Sequence, residues 1–136
     1  MDGSIVGLRE KRIIHQLQNK TIPAYEAAWA KKAGTKIALQ VDWDSFSGCN
    51  EEILERVERL GLKKISEAID GVCVDNLGKE ALQEGLSAVY LKQVNDRASV
   101  AASMASTTLK VCADFSDIYK GYVSEFTIQE VLENGL

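Results

Sequence analysis

A chain of 136 residues, 46% apolar and 26% charged, has the size and composition of one globular domain with a real core, which excludes a disordered chain. The net charge of −4 is unevenly placed: residues 1–36 hold 7 Lys+Arg against 3 Asp+Glu, and the rest hold 9 against 17. A basic N-terminal segment of +4 thus sits on an acidic body of −8, and nucleic acid is not the expected partner, because phosphates are neutralised by Lys and Arg.

The first expected helix runs from about Val6 to Gln18, with Ile13, Ile14 and Leu17 on one side and Glu10 and Arg12 on another. Pro23 interrupts it. Proline is costly inside a helix but fits a first turn, so Thr21 is placed to cap a second helix to about Ala33. Tyr25, Ala28 and Trp29 form its apolar stripe and Gly34 its stop. The simplest organisation of residues 1–34 is a helical hairpin ahead of an α+β body at 35–136, the two making a single domain.

From Lys36 to Phe46, Ile37, Leu39, Val41 and Trp43 alternate with Ala38, Gln40, Asp42 and Asp44. Strict alternation predicts a strand with one buried face. Asn50 is placed to cap a helix bearing Ile53, Leu54, Val57 and Leu60 and ending at Gly61. Leu62, Ile65 and Ile69 continue the helical spacing to Gly71. Val72-Cys73-Val74 reads equally as a helix end or a short extended piece. Asp75 or Asn76 opens another helix, carrying Leu77, Ala81, Leu82 and Leu86, which ends near Gly85.

Ala88 to Val94 reads as a second strand and Thr107 to Phe115 as a third. The segment Ser99–Ser106, small and weakly apolar, reads as a bridging loop. Two strands joined by about a dozen residues are expected to be antiparallel neighbours. Near the end, Thr127-Ile128-Gln129-Glu130 has the form of a capping box, with Phe126 placed to staple onto Val131 and Gly135 to end the helix. The fold expected is α+β: a small, mainly antiparallel sheet covered on one face by helices, with an N-terminal helical hairpin.

The nearest thing to a site is Asp42-Trp43-Asp44. In a continuing strand the two carboxylates share a face about 7 Å apart, within reach of a divalent cation or of shared acid/base work. The loop that follows is not an EF-hand, since Ser47 stands where glycine belongs and Ile53 where the closing glutamate belongs. Tyr119, Tyr122 and Phe126 stand at helical spacing; core packing is the first reading and an exposed recognition patch the second. His15 is the only histidine. Cys49, Cys73 and Cys112 form no CxxC pair, and their odd number excludes a full disulfide framework. Cys49, at the start of a helix, is expected to be the most reactive of the three. No GxGxxG, phosphate-loop or GxSxG pattern is present.

No cofactor or metal is expected, and catalysis is not the preferred reading. The expected function is a non-catalytic protein-binding module in the cytoplasm, either a homodimer or an inhibitor- or immunity-type partner of a basic protein. Candidate contact residues are Asp42, Trp43, Asp44, Tyr119 and Tyr122. Neither nucleic acid nor a membrane is expected as a partner. The alternative is a small-ligand-binding or hydrolytic domain that uses Asp42 and Asp44.

Overall fold

The computed structural model describes residues 7–136. Two helices, α1 (Leu8–Gln16) and α2 (Ile22–Ala33), precede strand β1 (Ala38–Asp42). Helices α3 (Glu51–Val57), α4 (Lys63–Val72) and α5 (Asn76–Gly85) lead to β2 (Ala88–Gln93). Strands β3 (Ala101–Ala105) and β4 (Thr108–Ala113) and helix α6 (Glu125–Gly135) complete the chain.

The N-terminal helices meet just before Pro23, as expected of the arms of the hairpin. Val6, where the first was expected to begin, lies outside the described residues. They are joined by a π turn, Leu17–Thr21, through which the backbone stays helical. Proline lacks an amide hydrogen and crowds the turn before it; widening that turn, with the Ile22 N–H donating to the Leu17 carbonyl, accommodates the ring without a loop. Trp29, 1% exposed, and Ala33 anchor α2 in the core. Gly34 ends it with φ 78°, a left-handed conformation that glycine adopts without strain.

A second π turn, Glu58–Leu62, joins α3 to α4. Gly61 does not end the helix as expected; it lies inside this turn. A Cβ there would stand 3.0 Å from Cζ of Phe115 and 3.4 Å from a methyl of Leu91. The glycine lets the helix approach the sheet closely. Val72-Cys73-Val74 is a helix end, and Asp75 caps α5 by accepting from the Gly78 N–H at 2.8 Å.

The strand order is β1-β2-β4-β3, with β1, β2 and β4 parallel and only β3 antiparallel. The expectation of a mainly antiparallel sheet is corrected: the sheet is mixed. The residues expected to bridge as a loop form a short 3-10 turn, Arg97–Ser99, and β3 itself. Because β3 runs back, β4 enters parallel to β2 and fits between β2 and β3. The hairpin turn is Ser106-Thr107, with φ 57° at Ser106. Such turns usually carry Gly or Asn, so this one left no sequence signal.

The C-terminal helix also starts earlier than expected. Ser124 caps it, its Oγ accepting from the Thr127 N–H at 3.2 Å, and Thr127 lies inside the first turn. Phe126 is exposed rather than stapled. Val123 and Ile128, both buried, occupy the positions a staple uses in the true register.

One core joins the helices to a single face of the sheet, the face of Leu39, Val89, Leu91, Leu109 and Val111. The other face carries Gln40, Tyr90, Lys110 and Ser103 in one row and Asp42, Lys92, Cys112 and Ala101 in the next. None of these residues is buried.

Candidate functional site

Open sheets with parallel strands bind their partners beyond the carboxyl ends of those strands. Here these ends are Asp42, Gln93 and Ala113, and three loops leave them. The first is a 3-10 turn, Trp43–Phe46, because β1 stops at Asp42. The expectation that Asp42 and Asp44 share a strand face is therefore corrected. Asp42 Oδ1 accepts from the Ser45 N–H at 3.3 Å and Oδ2 from the Tyr90 hydroxyl at 2.9 Å. That bond to a carboxylate holds the Tyr90 phenol above its ordinary pKa. Asp44 is exposed on the turn.

Gln93, 4% exposed, ties the three loops together. Its backbone N–H donates to Ser45 Oγ at 2.9 Å in the first loop. Its side-chain amide donates to the Val94 carbonyl at 2.9 Å and to Asp114 Oδ1 at 3.0 Å, and its Oε1 accepts from the Phe115 N–H at 2.9 Å. In the same loops Trp43 meets Phe46 at a tilt and Phe46 stacks on Phe115, with ring centroids 5.8 and 5.9 Å apart. Such aromatic pairs contribute about 0.5–1.5 kcal/mol beyond their burial.

The third loop, Asp114–Gly121, is closed by its own backbone. The Asp114 N–H donates to the Gly121 carbonyl at 2.7 Å, and the Gly121 N–H to that of Asp117 at 3.0 Å. Burial works to raise the Asp114 carboxyl, but hydrogen bonds from Ser116 and Gln93 outweigh it and hold it below its ordinary pKa. The Asp117 carboxylate accepts from the Lys120 and Tyr119 N–H groups, which holds it low as well. Arg97, from the second loop, pairs with Asp117 at 3.5 Å.

A Cβ on Gly121 would fall 2.6 Å from the Asp117 carbonyl oxygen and closer still to that of Asp114. Backbone cannot yield as a side-chain tip can. Gly121→Ala is expected to open the loop and to cost about 2–4 kcal/mol, as overpacking and backbone strain together do. Amide exchange should show Ser116, Tyr119 and Lys120 losing protection ahead of the sheet. Unchanged protection would show that the loop is not closed at Gly121.

The candidate residues are only partly brought together. Asp42, Trp43 and Asp44 share the carboxyl end with the loop that displays Tyr119, 82% exposed, beside Ile118. Tyr122 is turned away, with Lys64 Nζ 5.5 Å from its ring centroid. The expected helical spacing of Tyr119, Tyr122 and Phe126 is not realised, because residues 114–123 are not helical. Cys49 is not activated either: burial, and after it the charge of Asp114, pushes its thiol pKa up. Sequence reading missed Gln93, Ser45 and Asp117. Only the two aspartates at 114 and 117, a spacing common in turns, offered a signal.

Among the described residues, no group of three or more His, Cys, Asp or Glu side chains is arranged to hold a metal ion. No described helix is long and apolar enough to cross a membrane. No family model, curated protein or solved structure matches this chain.

Proposed function

We propose that the chain is a non-catalytic protein-binding module whose carboxyl-end loops meet a basic protein, in the manner of an inhibitor or immunity partner. The observation that carries this reading is the Gln93 network. It holds three loops rigidly while Asp44, Asp96 and Tyr119 stay exposed at their tips. Rigid display of a large aromatic lowers the entropy lost on binding, and Tyr is enriched among interface hot spots. The aspartates exposed on these loops, Asp44 and Asp96, favour capture of a Lys- or Arg-rich surface by steering.

Hydrolysis by Asp42 and Asp44 is less favoured. Both oxygens of Asp42 already accept hydrogen bonds within the fold, and the two carboxylates no longer share a face.

Cross-linking in cells that make the protein, read by mass spectrometry, tests the proposal. Loops 43–46, 96–99 and 114–121 are expected to link to a partner rich in Lys and Arg. Tyr119→Ala is expected to weaken the reconstituted complex by about 2 kcal/mol or more, and salt to slow its formation. Cross-links confined to residues 8–33, or a nucleic acid as the bound species, would overturn it.

A further inference from the structure

The two edges of the sheet are treated differently. On β1 the Ala38 N–H donates inward to the Ser87 carbonyl, and the outward Leu39 N–H is taken by Glu26 Oε2 of α2 at 2.8 Å. That edge is covered and carries a carboxylate, two of the ways proteins block strand addition.

Helix α6 packs on the core-side face of β3, with Gly135 against Met104, but among the described residues no carboxylate takes the outward backbone groups of this strand. The Thr107 carbonyl accepts from the Ser87 N–H and that of Ala113 from the Val94 N–H, so both face β2. Backbone groups alternate along a strand, so Thr108, Lys110 and Cys112 turn theirs toward β3. Their register partners are Ala105, Ser103 and Ala101. The N–H and C=O of Ala102 and Met104 therefore point out of the sheet. Among the described residues, none of the hydrogen bonds outside the regular ladders satisfies them. The strand Ala-Ala-Ser-Met-Ala has no charge, no proline and no bulge to repel an added strand.

We infer that a second copy of this chain pairs antiparallel with β3 about a two-fold axis at Ser103, joining two sheets into one of eight strands. This register lets Ala102 of each copy exchange both backbone bonds with Met104 of the other, which satisfies all the outward groups. It sets Ser103 against Ser103 and Ala101 against Ala105, small residues that meet without a clash on the open face. A two-fold contact must be self-complementary, and a neutral strand of small residues centred on its own midpoint is so. The nearest like charges on that row, the two copies of Lys110, lie three strand spacings apart, about 14 Å. That exceeds the screening length of about 8 Å at physiological salt. A five-residue ladder is a small interface, so the dimer is expected to exchange rapidly at micromolar concentration.

Sedimentation velocity of the full chain at on the order of 100 μM is expected to find dimer, dissociating on dilution. Ala102→Pro removes an outward N–H that β4 does not use, and edge strands tolerate proline there. It is expected to raise the dissociation constant by roughly tenfold or more while circular dichroism and melting stay those of the native fold. Directly opposed residues lie within disulfide reach. Ser103→Cys is therefore expected to cross-link on treatment with diamide, which takes up the two thiol hydrogens as the S–S bond forms. Ala105→Cys, about 13 Å from its own copy along the strands, and the unsubstituted chain should not. Monomer throughout, dimer indifferent to Ala102→Pro, or Ala105→Cys linking as fast as Ser103→Cys would overturn the inference. The β3 edge is a different surface from the carboxyl-end loops. Tyr119→Ala is thus expected to leave the dimer unchanged, and loss of one contact is distinguishable from loss of the other.

Discussion

Gln93→Leu is expected to destabilise the fold by about 2–4 kcal/mol and to lower Tm by roughly 5–15 °C. Leucine fills a similar volume but has no polar atoms. The Phe115 N–H, in a buried position, is left without an acceptor, and Asp114 loses a donor. An unmade bond to a buried group costs the full desolvation of that group, more than an average hydrogen bond contributes. Gln93→Glu separates the two losses. It keeps an acceptor for Phe115 but sets a carboxylate against Asp114. Burial and the like charge raise the folded pKa of the introduced carboxyl above its unfolded value. Its penalty is therefore present at neutral pH and is relieved as pH falls through that raised value. Denaturant melts from pH 7 to pH 5 check this. A cost under about 0.5 kcal/mol for Gln93→Leu would mean that water reaches the network.

Trp29→Ala is expected to cost about 3–5 kcal/mol, the range for emptying a large aromatic site in a core. The ring is 1% exposed and lies 6.0 Å, centroid to centroid, from that of Tyr25. The Tyr25 phenol is itself pushed up to about 12 by burial and by Glu58. The Trp29 indole N–H is buried without a partner. Trp29→Phe removes that orphan donor with part of the ring, so it is expected to cost much less, about 1–2 kcal/mol. A change under about 0.5 kcal/mol for Trp29→Ala would show that α2 is not docked on the body.

The elements legible in the sequence are those whose burial writes a period. Leu39, Val89, Leu91, Leu109 and Val111 alternate with polar neighbours, and all lie in the core. Gly34, Asn50 and Asp75 mark helix boundaries through local chemistry that needs no tertiary contact. The strand β3 was not legible. Its apolar positions, Ala102 and Met104, are only half-buried at an edge, and Ala and Ser carry little strand preference. Missing it reversed the expected direction of β4 relative to β2.

The sequence by itself determined the buried face of β1, β2 and β4, where most helices begin and end, and the division between a basic N-terminal segment and an acidic body. These follow from periodicity, caps and charge, all local properties. Only the tertiary structure decided the rest. Gly61 continues a helix because Phe115 needs the room. Asp42 is a structural acceptor because Tyr90 lies across the sheet from it. Tyr119 is displayed because Gly121 closes its loop against Asp114. Each depends on a partner distant in the chain, and no local pattern encodes where such a partner will stand.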